Sequence, residues 1–242
     1  MAKDDQQRRT RVPSYRHTIA VRITHWINVL CILLLVPTGI QILNAHPALY
    51  WGNQSNFAHP FITFPEGLPN WPKIPSWRDL ATGRNWHFFA AWIFMINGAA
   101  YLANGFLRGH FVRDLAPTLG ELRHIGETAK EHAKLRFPQA PEYNVIQKLS
   151  YIAVIVLLTL MLLSGLAMSP GMDAAFPGLV SVFGGRQSAR TIHFLSAAGI
   201  VLFIFVHVVL VMLSGFVNNM RSMITGRYDI EAEAAEAAEL EP

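Results

Sequence analysis

The sequence predicts an all-α integral membrane protein, a four-helix bundle with both termini on the cytoplasmic side. Three observations predict it. Of 242 residues, 52% are hydrophobic and only 15% charged, against roughly 25% charged in ordinary soluble domains. Four apolar runs exceed about 18 residues, enough to cross a hydrocarbon core about 30 Å thick. The cationic residues gather on alternate connections, as they do in multi-span proteins.

Taken in order, the spans are predicted at Ile19–Leu43, Asn85–Phe106, Ile146–Met168 and Thr191–Gly215. The first eighteen residues are polar and no small-residue cleavage site follows the first apolar core, so that span is expected to remain as an anchor. Pro37 is expected to kink it. The first connection, Asn44–Arg84, is rich in Pro and Trp, which favours turns and extended segments over a long helix. Its tryptophans fit either an interfacial belt or an outer surface for a second protein.

In the second connection, Glu121–Phe137 has apolar residues at helical spacing among Arg123, Lys130, Lys134 and Arg136. It reads as an amphipathic helix on the inner membrane surface or a solvated cytoplasmic one. The domain is expected to occupy residues 1–228, with 229–242 an acidic, Ala-rich cytoplasmic tail without chemistry.

Orientation follows from charge. The N-terminal segment, the second connection with its flanks, and the C-terminal tail hold 15 of the 20 Lys and Arg residues. Both termini and the second connection therefore face the cytoplasm. The net charge of +4 is a topology signal, and no nucleic-acid partner is expected. Cys31 is alone and mid-span, a small core residue rather than a reactive thiol. No C-x-x-C-H or cysteine cluster is present, which excludes covalent c-type haem and iron–sulfur centres.

Four histidines lie inside the apolar spans: His25, His87, His193 and His207. An ionisable side chain there costs free energy and is a functional hypothesis by default. Depth pairs them. The first span rises from the cytoplasm, so His25 lies just inside that surface, while His87 and His193 begin descending spans near the outer one. His207 lies 14 residues beyond His193, about 21 Å of helix and within about 40° of the same face. His25 then matches His207, and His87 matches His193. Imidazole is the usual axial ligand of haem iron, so two stacked bis-histidine haem b sites follow, one per leaflet.

Arg22, Arg84 and Arg190 each precede one of these histidines by three residues and share its helix face. Each stands a turn nearer the water, where a guanidinium could hold a haem propionate or simply snorkel. Gly39 lies 14 residues beyond His25, and Gly98 lies 11 beyond His87. They could give a flat macrocycle room or serve ordinary helix packing. The bland alternative for the histidines is interhelical hydrogen bonding without a cofactor. The other six histidines lie in loops or at ends and receive no ligand role. No nucleophile–base pair, carboxylate dyad or H-E-x-x-H appears, and bis-imidazole centres with no open position pass electrons.

Four segments carry a resemblance: Arg22-Ile-Thr-His25-Trp26, Asn44-Ala-His-Pro-Ala-Leu-Tyr-Trp-Gly52, Pro75-Ser-Trp-Arg-Asp79 and Gly184-Gly-Arg-Gln-Ser-Ala-Arg-Thr-Ile-His193. With the four-span layout they resemble the prokaryotic cytochrome b-561 group, which includes the b-type subunits of nickel–iron hydrogenases. The likeness is strongest to thiosulfate reductase cytochrome b subunits and runs from about Arg16 to Tyr228. It implies a di-haem b anchor in the bacterial inner membrane, multi-pass. Such an anchor exchanges electrons between the quinone pool and a periplasmic, molybdopterin-dependent oxidoreductase subunit. It carries His25 and His207 over to the inner haem, His87 and His193 to the outer one, and a quinone site to the neighbourhood of Arg22, His25 and His207. Two other classes stay open on the residues: a stand-alone superoxide:quinone oxidoreductase steered by Arg84, Arg186 and Arg190, and a haem-binding sensor or scaffold.

Overall fold

In a computed structural model, which describes residues 11–77, 79–109, 116–126 and 145–231, the four apolar runs are four long helices. They are α1 (Ile19–Leu43), α2 (Leu80–Leu107), α4 (Val145–Ala167) and α7 (Arg186–Leu213), all long and apolar enough to cross a membrane. Short helices α3 (Leu119–Arg123), α5 (Pro170–Ala175) and α6 (Gly178–Val182) lie between them, and α8 (Phe216–Thr225) follows the last. The expected amphipathic helix at Glu121–Phe137 lies mostly outside the described residues. Its first three residues are the end of α3, which opens with a capping box between Thr118 and Glu121.

Their surfaces invert the soluble pattern. Leu30, Leu33, Leu202 and Phe205 are exposed, as lipid-facing side chains must be. On α1 the buried positions include Cys31, Leu35, Thr38 and Gln41, a stripe at three- and four-residue spacing. Cys31 and Leu35 pack with Ala90 and Phe94 of α2.

Two helices begin five residues before their apolar runs, because apolar windows overlook polar first turns. At α2, Asp79 Oδ1 accepts the Thr82 backbone N–H at 3.0 Å, satisfying one of the orphan donors of the first turn. At α7 the chain turns through Gly184 and Gly185, with φ of +72° and +115°, a region open to glycine. The Gly52 carbonyl then accepts the N–H groups of Gln187 at 2.9 Å and Ser188 at 3.2 Å. A Cβ on Gly185 would stand 2.6 Å from that carbonyl. The loop carbonyl at Gly52 therefore requires glycine at position 185.

The chain forms two compact units, one of residues 1–25, 101–153 and 204–242, the other of 26–100 and 154–203. In the first, β1 (Arg11–Tyr15) pairs antiparallel with β4 (Arg227–Glu231), Ser14 opposite Tyr228. This strand pair is a local addition to the all-α expectation. β4 also continues three residues into the 229–242 segment expected to be tail; residues 232–242 lie outside the described part. Asp229 fixes β4 to α8, its N–H and carbonyl bonded to the Asn218 amide at 2.9 Å each, and its carboxylate paired with Arg221.

In the second unit, β2 (Ala48–Leu49) and β3 (Ile62–Thr63) form the other antiparallel pair. The rest of the first connection is turn and irregular backbone. Thr191 Oγ1 donates to the Tyr50 carbonyl at 2.6 Å, so this loop is sewn to α7 two residues before His193.

Candidate functional site

Each unit brings two of the four span histidines together. In the first unit α1 supplies His25 and α7 supplies His207, with ring centres 6.5 Å apart and planes inclined at 63°. In the second, α2 supplies His87 and α7 supplies His193, at 6.3 Å and 65°. Among the described residues no three His, Cys, Asp or Glu side chains stand together as a metal-binding group. The sites are pairs.

Hydrogen bonding assigns the tautomers in the second unit. His193 Nδ1 is 2.8 Å from the Met161 carbonyl. A carbonyl can only accept, so Nδ1 carries the proton and Nε2 is left as a lone-pair donor. His87 Nδ1 lies 3.0 Å from Thr38 Oγ1, whose own hydrogen goes to Leu34 O at 2.7 Å, so this Nδ1 also carries its proton. Ser164 Oγ plays a matching part at 3.3 Å from His193 Nδ1, donating to Leu160 O at 2.6 Å. These partners fix the ring orientations that a metal-binding imidazole needs.

The arginines divide. Arg22, one turn before His25, has a buried Nε with no hydrogen-bond partner, an orphan donor that costs free energy unless an acceptor meets it. Its guanidinium is packed against the turn at Gly226, whose φ is +85°; a Cβ there would stand 2.9 Å from Arg22 Nη1 and 2.8 Å from the His17 carbonyl. Arg84 is exposed and lies over the Phe88 ring, 5.7 Å from its centre. Arg190 turns to the first connection, donating to the carbonyls of Ala48 at 3.1 Å and of His46.

Of the two glycines, Gly39 lies beside His87, where a Cβ would be 3.5 Å from ring Cε1, whereas nothing stands within 4 Å of a Cβ on Gly98. Sequence reasoning passed over Thr38, Ser164 and Gly165. A Cβ on Gly165 would reach 3.1 Å from His193 Cε1. The available signal was a repeated hydroxyl–glycine step, Thr38-Gly39 and Ser164-Gly165, inside two apolar runs. His17, which received no ligand role from the sequence, lies just before α1. Burial, then the charges of Arg16, His25 and Arg22, push this imidazole down to about 4, so it stays neutral beside the first unit's pair.

The sequence pattern that defines the prokaryotic cytochrome b561 family matches residues 16–226. The chain belongs to that family. It is a multi-pass inner-membrane cytochrome b of electron transport. This b561-family chain is also similar to a protein of Azospira oryzae, named as a candidate protein-methionine-sulfoxide reductase subunit, YedZ1. The two are 29% identical over 199 residues, covering 81% of this chain and 90% of that protein.

Proposed function

We propose that this chain is a di-haem cytochrome b subunit carrying electrons across the bilayer, between the quinone pool and a periplasmic oxidoreductase subunit that is molybdopterin-dependent. One observation carries the reading: the spacing of the two imidazole pairs. Two metal–nitrogen bonds of about 2.0–2.1 Å, with about 1.1 Å from each ring centre to its nitrogen, span about 6.3 Å. The pairs stand at 6.3 and 6.5 Å. A pair with no third protein donor among the described residues suits an iron whose other ligands come from a macrocycle. Bound haem b supplies one-electron exchange at a potential set by its ligands and their partners.

In this reading His25 and His207 hold the inner group, and His87 and His193 the outer one. The orphan Nε of Arg22 is the donor for a propionate carboxylate at the inner site. Arg84 and Arg190 are assigned to outer propionates only with N–H groups beyond those contacts just described. Gly98 leaves open space on the ligand face of α2, and Gly39 gives room to the His87 ring. Quinone exchange is placed near Arg22, His25 and His207. Both termini are assigned to the cytoplasm, which the distribution of cations supports.

The name of the Azospira relative supports a reductase as the partner. A reductase consumes electrons, which sets the direction from quinol outward. The stand-alone superoxide reading drew on Arg190 as part of a cationic funnel, and that guanidinium is turned onto loop carbonyls. A short-chain quinol added to the purified chain tests the link to the pool. The expected result is rapid appearance of reduced b-type absorbance, slowed in Arg22→Gln. No reduction by any quinol would refute it.

A further inference from the structure

The outer histidine pair is held by two equivalent devices on different helices. On α1, the Thr38 hydroxyl stands 3.0 Å from His87 Nδ1, and Gly39 lies against the ring edge. On α4, the Ser164 hydroxyl stands 3.3 Å from His193 Nδ1, with Gly165 against the ring and the Met161 carbonyl as a further acceptor. The spacing is identical: hydroxyl at i, glycine at i+1. Both hydroxyls also bond their own helix at i−4, and both residues are fully buried, at 0% exposure.

We propose that Thr38-Gly39 and Ser164-Gly165 form a paired clamp that positions both outer haem ligands and lowers the potential of that haem. The physical chain is short. A buried hydroxyl held by its own helix is a fixed acceptor, so it fixes both the Nδ1–H tautomer and the plane of the ring. A hydrogen bond from Nδ1–H increases electron donation through Nε2, and stronger donation favours oxidised iron. The glycines let each ring approach within bonding reach of the clamp. A Cβ at Gly165 would stand 3.1 Å from His193 Cε1 and crowd the ring, whereas one at Gly39 would meet His87 at 3.5 Å.

The inference rests on the di-haem reading, and its test separates the two. Wild type, Thr38→Val, Thr38→Ser and Ser164→Ala are purified as full chains, their haem content quantified, and each haem's midpoint measured by spectroelectrochemistry. The outer haem is recognised as the one missing in His87→Ala. Valine keeps the shape of threonine without its hydroxyl. The expected result is an upward shift of the outer midpoint in Thr38→Val and Ser164→Ala, an unmoved inner midpoint, and near-wild-type values in Thr38→Ser. Loss of the outer haem in Thr38→Val with retention in Thr38→Ser supports the clamp equally. Unchanged midpoints in both hydroxyl-free variants, with two haems present, overturn it. Should Thr38→Val not fold, Ser164→Ala decides alone by the same criterion. A wild type lacking two haems counts against the di-haem reading instead.

Discussion

Asn97 on α2 donates to Asn28 on α1, Nδ2 to Oδ1, at 2.7 Å. Asn97 is 7% exposed, and Asn28 stands three residues beyond His25 on the same helix face. In hydrocarbon such a bond between helices is worth about 0.6 kcal/mol on average and about 1.7 at most. Asn28→Leu should lower the stability of the detergent-solubilised chain by about that amount, read from its unfolding midpoint in denaturant titration. An unchanged midpoint would show that the bond does no net work.

The two clamp glycines should respond differently to a methyl group. At Gly165 a Cβ would meet His193 Cε1 at 3.1 Å and Nδ1 at 3.3 Å, tighter than ordinary contact. At Gly39 the nearest atom of His87 would be 3.5 Å away, which is ordinary packing distance. Gly165→Ala should reduce outer haem content, whereas Gly39→Ala should keep it. Equal haem content in the two variants would contradict the geometry.

Gly226 is expected to be the least tolerant position at the first unit's turn. Its left-handed backbone costs about 1–2 kcal/mol with any ordinary L residue, and a Cβ would meet the His17 carbonyl at 2.8 Å. That carbonyl cannot swing aside without disturbing the Gly226–Arg16 backbone bond of 2.8 Å. Gly226→Ala should destabilise the chain by more than the conformational cost alone, measured by thermal unfolding. It should also broaden the inner haem's spectrum by displacing Arg22.

The spans and the histidine depths were legible in the sequence. Apolar run length and cation placement were enough for the four spans, with α1 beginning and ending where expected, because a membrane imposes a single dominant constraint. Depth along the spans was enough to propose which histidines meet. The starts of α2 and α7 were missed, because a side-chain cap at Asp79 and a loop carbonyl at Gly52 do not register as hydrophobicity. The β1–β4 pair was missed for a similar reason, since five-residue strands far apart in the chain have no periodic signature. Thr38 and Ser164 look like ordinary small residues of membrane helices until the facing imidazole is placed. Arg190 illustrates the converse. Its three-residue offset from His193 suggested one partner, while the fold supplies two carbonyls from a loop more than 140 residues away.

A pH dependence is expected at the α3–α4 contact. Lys148 bonds Glu121 at 2.8 Å, and that bond, with the Thr118 backbone N–H, holds the Glu121 carboxyl below its ordinary value of 4.5. A carboxylate whose folded value is depressed contributes stability that is complete above about 4.5 and lost as pH falls toward its folded value. Stability should therefore fall through that acid window in the wild type and fall less in Glu121→Gln. Parallel curves for the two proteins would remove Glu121 from the account.

Haem counting on double variants tests the central claim most directly. If His25 and His207 grip one iron, then His25→Ala, His207→Ala and the double variant should each retain one haem per chain, with the same reduced-minus-oxidised spectrum. His25→Ala combined with His193→Ala should retain none. Two haems per chain in the wild type followed by complete loss in the His25/His207 double variant, or different surviving haems in the two single variants, would contradict the pairing on which the proposed electron path stands.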